Sequence, residues 1–93
     1  MFSGIITHTG KINKVYKKNN NCTVEILSRM KFSKIEVGSS ISCSGACLTL
    51  KKYKNNLSKF YVSKETLDRT NLKHLIKGDL INLEKSLKYG DRI

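Results

Sequence analysis

Ninety-three residues, 39% of them apolar and 27% charged, suffice for one folded domain with a single core and leave no length for accessory lobes. No apolar run approaches the roughly 20 residues of a membrane helix. The opening Met1-Phe2-Ser3-Gly4-Ile5-Ile6 also lacks a signal peptide's basic region and long apolar stretch, so a cytoplasmic protein with no membrane partner is expected.

The net charge of +11 points first to nucleic acid, whose phosphates basic surfaces neutralise. Its distribution argues otherwise. Lys11, Lys14, Lys17, Lys18, Lys31, Lys34, Lys51, Lys52, Lys54 and Lys59 are scattered through turns and alternate strand positions, and lysines never run longer than two. That pattern is a solvated exterior, and no nucleic-acid partner is expected. Cys22, Cys43 and Cys47 are odd in number and lack CxxC spacing, so neither a disulfide framework nor a four-ligand zinc site is suggested and reduced, mostly buried thiols are expected.

Apolar and polar residues alternate in short bursts, the period of half-buried strands. The first burst runs from Phe2 to Tyr16 and ends at the turn signal Lys17-Lys18-Asn19-Asn20-Asn21. Cys22 to Leu27 follows as a hairpin partner, with Cys22, Val24 and Ile26 on one face and Thr23 and Glu25 on the other. Between Arg29 and Gly38 the period breaks, which predicts a loop or a short helical turn closed by Gly38.

Ile41 to Leu50 reads as one strand whose small middle, Ser44-Gly45-Ala46, leaves room for another backbone or a ligand. Lys54-Asn55-Asn56 is a hairpin turn into a strand from Leu57 to Val62. Lys64 to Leu72 mixes helix formers with cap residues, so one or two helical turns are expected across a barrel end, anchored by Leu67, Leu72 and Leu75. Gly78-Asp79 turns the chain into a last strand, Leu80 to Leu83. About six short strands are best satisfied by closure, which removes unpaired edges. The expected fold is all-β, a small six-stranded antiparallel Greek-key barrel with one short helix.

Catalytic equipment is sparse. His8 and His74 lie far apart, seven carboxylates are spread thinly, and no hydrolytic triad, metal site or phosphate loop can be named. The chain offers instead neutral polar groups near small residues: Ser42, Ser44, Thr49, Ser63 and Thr66, with Gly4 and Gly45. These suit a neutral heterocycle bearing carbonyl, N–H and hydroxyl groups, although each hydroxyl could equally pair within the sheet.

Taken together, Met1-Phe2-Ser3-Gly4-Ile5-Ile6 with Gly10-Lys11-Ile12, Gly45-Ala46-Cys47-Leu48-Thr49-Leu50, Lys64-Glu65-Thr66-Leu67 with Thr70-Asn71-Leu72, and Gly78-Asp79 resemble the N-terminal barrel of riboflavin synthases. The resemblance covers essentially the whole chain. It implies that residues 1–93 form a single lumazine- and flavin-binding barrel, the N-terminal half of a two-barrel enzyme. Tyr89-Gly90-Asp91-Arg92-Ile93 is similar to the family's junction before the second barrel.

The resemblance further implies a transferase in which one 6,7-dimethyl-8-ribityllumazine donates a four-carbon unit to another, giving riboflavin and 5-amino-6-ribitylaminouracil. The substrate carries its own acidic methyl group and electrophilic ring carbon, so neither metal nor organic cofactor is expected, and the protein chiefly holds two rings face to face. Carried over by motif, the ligand groove takes Gly4, Ile5 and Ile6 from the first strand, then Cys47, Leu48 and Thr49. Its third wall is Tyr61, Val62, Ser63, Lys64, Glu65 and Thr66. Thr49 and Thr66 are the side chains best suited to hydrogen-bond the ligand, Leu48 offers an apolar face, and Cys47 is a groove contact. No residue is singled out for catalysis.

In the family the active site forms where the first barrel of one subunit meets the second barrel of another, within trimers. A lone barrel is therefore expected to bind ligand with little or no turnover, and to pair with a copy of itself as a C2 homodimer. Two alternatives remain at this point: a non-catalytic lumazine or flavin carrier of the bioluminescence-antenna kind, and a basic nucleic-acid-binding barrel, which would need aromatics spaced along one strand face.

Overall fold

The computed structural model describes residues 8–18 and 21–85. Six strands, β1 (His8–Lys18), β2 (Asn21–Leu27), β3 (Ser40–Cys43), β4 (Ala46–Lys54), β5 (Leu57–Val62) and β6 (Leu80–Lys85), close into an antiparallel barrel in the order β1-β2-β5-β4-β3-β6. The step from β2 to β3 skips two strands and gives the Greek key. One helix, α1 (Lys64–Arg69), and a 3₁₀ turn at Asn71–His74 cross between β5 and β6. None of the helices among the described residues is long and apolar enough to span a membrane.

Alternation explains β2, and β-forming Phe60, Tyr61 and Val62 explain β5. Cys22, Val24 and Ile26 face inward against Phe60 and Val62, all at most 2% exposed, and the two strands pair residue for residue from Cys22↔Val62 to Leu27↔Leu57. Burying each such side chain contributes about 1.5–3 kcal/mol. Phe60 and Tyr53 both meet the ring of Phe32 edge-on, at 6.2 and 5.2 Å between centroids, so the segment after β2 is stapled onto the core. Leu72 is buried, and Leu67 and Leu75 pack against the same cluster, which anchors the helical crossing as its sequence predicts.

The structure differs from the expected Ile41–Leu50 strand. Ser44 (φ 50°) and Gly45 (φ 87°) are both left-handed, and they fold this stretch into the β3–β4 hairpin, with Cys43 opposite Ala46. Two consecutive positive φ values are the geometry of a twist-compatible two-residue turn. The small residues thus reverse the chain instead of making room beside it. Asn55 (φ 51°) and Asn56 (φ 67°) do the same between β4 and β5, here where the sequence predicts a turn. The irregular stretch after β2 contains a 3₁₀ turn, Lys34–Glu36, followed by Gly38 at φ 95°.

Two bulges bend the wall. The register slips between Ile12 and Lys14 against β2, leaving Asn13 extra. It slips again between Leu50 and Lys52 against β5, leaving Lys51 extra. An unpaired residue increases local twist and helps a short strand curl around a barrel.

Where β1 meets both neighbours, Gly10 is buried. A methyl group built on it would lie 2.5 Å from Ile26 Cγ2 and 3.1 Å from Leu83 Cδ1. Gly10→Ala is expected to lower unfolding free energy by about 1–3 kcal/mol through overpacking, read as a reduced urea midpoint.

Lys85 ties β6 to the 3₁₀ segment, donating to the Lys31 carbonyl and pairing with Glu36 Oε2 at 3.0 Å. Burial alone would raise the Glu36 carboxyl. Hydrogen bonds from Lys85 and from the Ser33 N–H, with the Lys85 charge, outweigh it and hold the group below its usual value. A lowered folded-state value stabilises above the unfolded carboxylate range, and that stabilisation disappears as pH falls through the folded value. Glu36→Gln is therefore expected to cost about 0.5–1 kcal/mol at pH 7, a difference that shrinks in urea titrations as pH falls below the unfolded carboxylate value of about 4.3.

Candidate functional site

The inward residues of β4 are Ala46, Leu48 and Leu50, at 5, 1 and 0% exposure. Cys47 and Thr49 consequently face out. On β5 the same parity sends Phe60 and Val62 into the core and leaves Tyr61 half-exposed outside. The register sets Thr49 opposite Tyr61 and Tyr61 opposite Thr23 of β2, while Thr49 and Cys47 also face Ser40 and Ser42 of β3. One outward belt therefore carries Thr23, Tyr61, Thr49 and Ser40, with the Cys47–Ser42 pair one pleat further on.

Beyond Tyr61 the chain enters α1 through Ser63. Its Oγ accepts from the Thr66 N–H at 3.2 Å and donates to Thr66 Oγ1 at 3.0 Å, which satisfies an otherwise orphaned helix donor. Thr66 Oγ1 is thereby held beside the Ser63 cap as an acceptor. Thr70 Oγ1 donates to the Thr66 carbonyl at 2.7 Å and fixes the end of this short helix. Tyr61 Oη donates to Asn21 Oδ1 at 3.0 Å.

Not every expected contact presents its side chain. Leu48 and Val62 point into the barrel, so they back the wall, and only their main chain belongs to the outer face. Lys64 and Glu65 are exposed in the first turn of α1, where Glu65 pairs with Arg69 at 3.1 Å. Gly4, Ile5 and Ile6 lie outside the described residues. Ser40 and Thr23 join the belt through cross-strand register, a relation that no local motif announces. The aromatic row required of a nucleic-acid-binding barrel is broken, since Phe60 is wholly buried.

A family model described as a lumazine binding domain matches residues 3–86. The chain belongs to the lumazine-binding domain family. Its relatives include riboflavin synthases from Buchnera aphidicola subsp. Baizongia pistaciae (35% identity), Chlamydia trachomatis serovar D (36%) and Escherichia coli strain K12 (38%). Each alignment covers all of this chain and 44, 46 and 44% of the relative, respectively. The chain spans about half the length of the curated relatives it matches. Among solved structures, LumP complexed with riboflavin superposes with a TM-score of 0.80 at 23% identity, over 100% of this chain and 50% of that one. LumP complexed with flavin mononucleotide gives 0.77 at 26%, over 91% and 48%.

Within this lumazine-binding barrel the thiols divide sharply. Cys22 and Cys43 are buried and Cys47 is exposed. Burial pushes the Cys43 thiol up to about 12, with a further contribution from neighbouring Cys47, and burial also raises Cys22 against the opposing charge of Lys17. Thiolate is the reactive form, so at pH 8 Ellman's reagent is expected to titrate one thiol quickly in the folded protein. All three should react in denaturant, and Cys47→Ser should abolish the fast phase.

Proposed function

We propose that residues 1–93 are a single lumazine- and flavin-binding barrel, the N-terminal half of a riboflavin synthase, and that the outward belt of β4 and β5 holds a ribityl-lumazine or riboflavin. The observation that carries this reading is the convergence of Cys47, Thr49 and Tyr61 on one outer face beside the Ser63–Thr66 pair. A heterocycle laid there meets hydroxyl donors and acceptors, with the Thr66 hydroxyl suited to a ring carbonyl and Lys51 and Lys59 two residues further along the same strands. Gly4, Ile5 and Ile6 complete the proposed groove, with the main chain at Leu48, Val62, Lys64 and Glu65.

Kinship with riboflavin synthases at 35 to 40% identity supports the dismutation of two 6,7-dimethyl-8-ribityllumazines as the reaction of the whole enzyme. The barrel's part is orientation: it fixes one ring so that the four-carbon unit can pass between stacked substrates. The second ring needs a second barrel, so the chain alone is expected to bind without efficient turnover. We further propose a cytoplasmic protein, a C2 homodimer for the isolated barrel and a trimer for the full-length enzyme. Self-pairing is supported by the exposed Leu27 and Leu80, which flank Lys11 on neighbouring strands.

Fluorescence titration with riboflavin and with 6,7-dimethyl-8-ribityllumazine tests the groove. Saturable quenching is expected, weakened about tenfold in Thr66→Ala, the loss of roughly one net hydrogen bond. Titrations without saturation in a folded sample would remove the assignment.

A further inference from the structure

On the outer wall one hydrogen bond fixes an aromatic ring. β2 presents Asn21 and Thr23 outward, while Cys22 between them is buried. Thr23 stands opposite Tyr61 and Cys22 opposite Val62, so Asn21 lies one residue further toward the end of β5, where the chain leaves for Ser63. Tyr61 Oη donates to Asn21 Oδ1 at 3.0 Å. The phenol is therefore anchored twice, by its backbone on β5 and by its hydroxyl over β2, and it inclines toward the barrel end that carries Ser63 and Thr66.

The direction of that tether sets what the ring can offer. On its other side Tyr61 has Thr49 of β4. A side chain drawn over β2 leaves the surface above Thr49 open and turns an aromatic face along it. An untethered phenol on an exposed wall samples several rotamers and has to be ordered by whatever binds. The second outward tyrosine is held elsewhere. Tyr16 also stands opposite Thr23, but its ring is met by the Lys59 ammonium, 5.5 Å from the centroid, and Lys59 lies two residues before Tyr61 on β5, away from Ser63. Of the two rings, Tyr61 is the one that borders the Ser63–Thr66 corner.

A flat conjugated ring gains most from an offset aromatic face, while the hydroxyls of Thr49 and Thr66 suit its polar edge. We propose that the Tyr61 phenol is the wall against which the heterocycle stacks, and that Asn21 is the positioning residue that holds it there, acting through Tyr61 without touching the ligand. The proposal rests on the ring site put forward above. It has an optical signature. A phenol stacked on a photoexcited flavin passes it one electron, and back transfer restores both partners. Nothing is consumed, and emission is lost.

The test binds riboflavin to the parent chain and to Asn21→Ala, Asn21→Asp, Tyr61→Phe and Tyr16→Phe, reading affinity by calorimetry and quenching by the flavin's excited-state lifetime. The bound flavin is expected to be short-lived in the parent and in Tyr16→Phe, and long-lived in Tyr61→Phe. Asn21→Ala should weaken binding about fivefold, the order of one partly exposed hydrogen bond, and lengthen the lifetime. Asn21→Asp, whose carboxylate still accepts from Tyr61 Oη, should restore both, and Asn21→Ala should add nothing on the Tyr61→Phe background. A lifetime as short in Tyr61→Phe as in the parent overturns the stacking wall and leaves the ring site standing. Equal weakening by Asn21→Ala with and without the Tyr61 hydroxyl, or by Asn21→Asp and Asn21→Ala, overturns the positioning role. No binding of riboflavin by the folded parent overturns the ring site and the wall together.

Discussion

Strand β6 hydrogen-bonds on both sides, to β1 through His8–Lys11 and to β3 through Ile41–Cys43, and this double pairing leaves the six-stranded sheet without an open edge. In so small a chain an unpaired edge would cost solubility as well as stability. Closure also demands tight curvature, which the structure supplies through the bulges at Asn13 and Lys51 and through the missing side chain at Gly10. Everything that faces outward is placed by that inner geometry. Thr49 and Tyr61 meet because Leu50 and Phe60 must.

The proposed site therefore inherits its precision from the core. Strand parity keeps Leu48 and Val62 inside and presents Cys47, Thr49 and Tyr61 outside, while the Ser63 cap holds Thr66 at the end of the same belt. A belt of hydroxyls on a rigid wall is suited to hold a flat ring without contributing charge of its own.

Much of this was legible in the sequence, wherever the information is local. Cys22–Leu27 alternates and became a strand with Cys22, Val24 and Ile26 inward as expected, Leu57–Val62 became the strand its β-formers announced, and Asn55-Asn56 announced its hairpin. The β3–β4 turn went unread although its signal is present: the buried positions change parity across Ser44-Gly45, from Ile41 and Cys43 to Ala46, Leu48 and Leu50, which one unbroken strand would place on opposite faces. Ser40 and Thr23 went unnoticed for another reason: register is decided between strands distant in sequence, and no window along the chain contains it. Leu48 was assigned to the groove as part of a motif, yet parity commits it to the core.

The bulges have a consequence for how such a barrel can vary in length. Removing a residue from the regular part of a strand inverts the orientation of its neighbours, since side chains alternate with period two. At Lys51 the extra residue is already unpaired, and excising it would leave Lys52 opposite Lys59 and Tyr53 opposite Ser58 as they are now. Asn13 stands in the same relation to β2. These two positions are the places in the sheet where single-residue indels can accumulate among homologous barrels without turning a strand inside out.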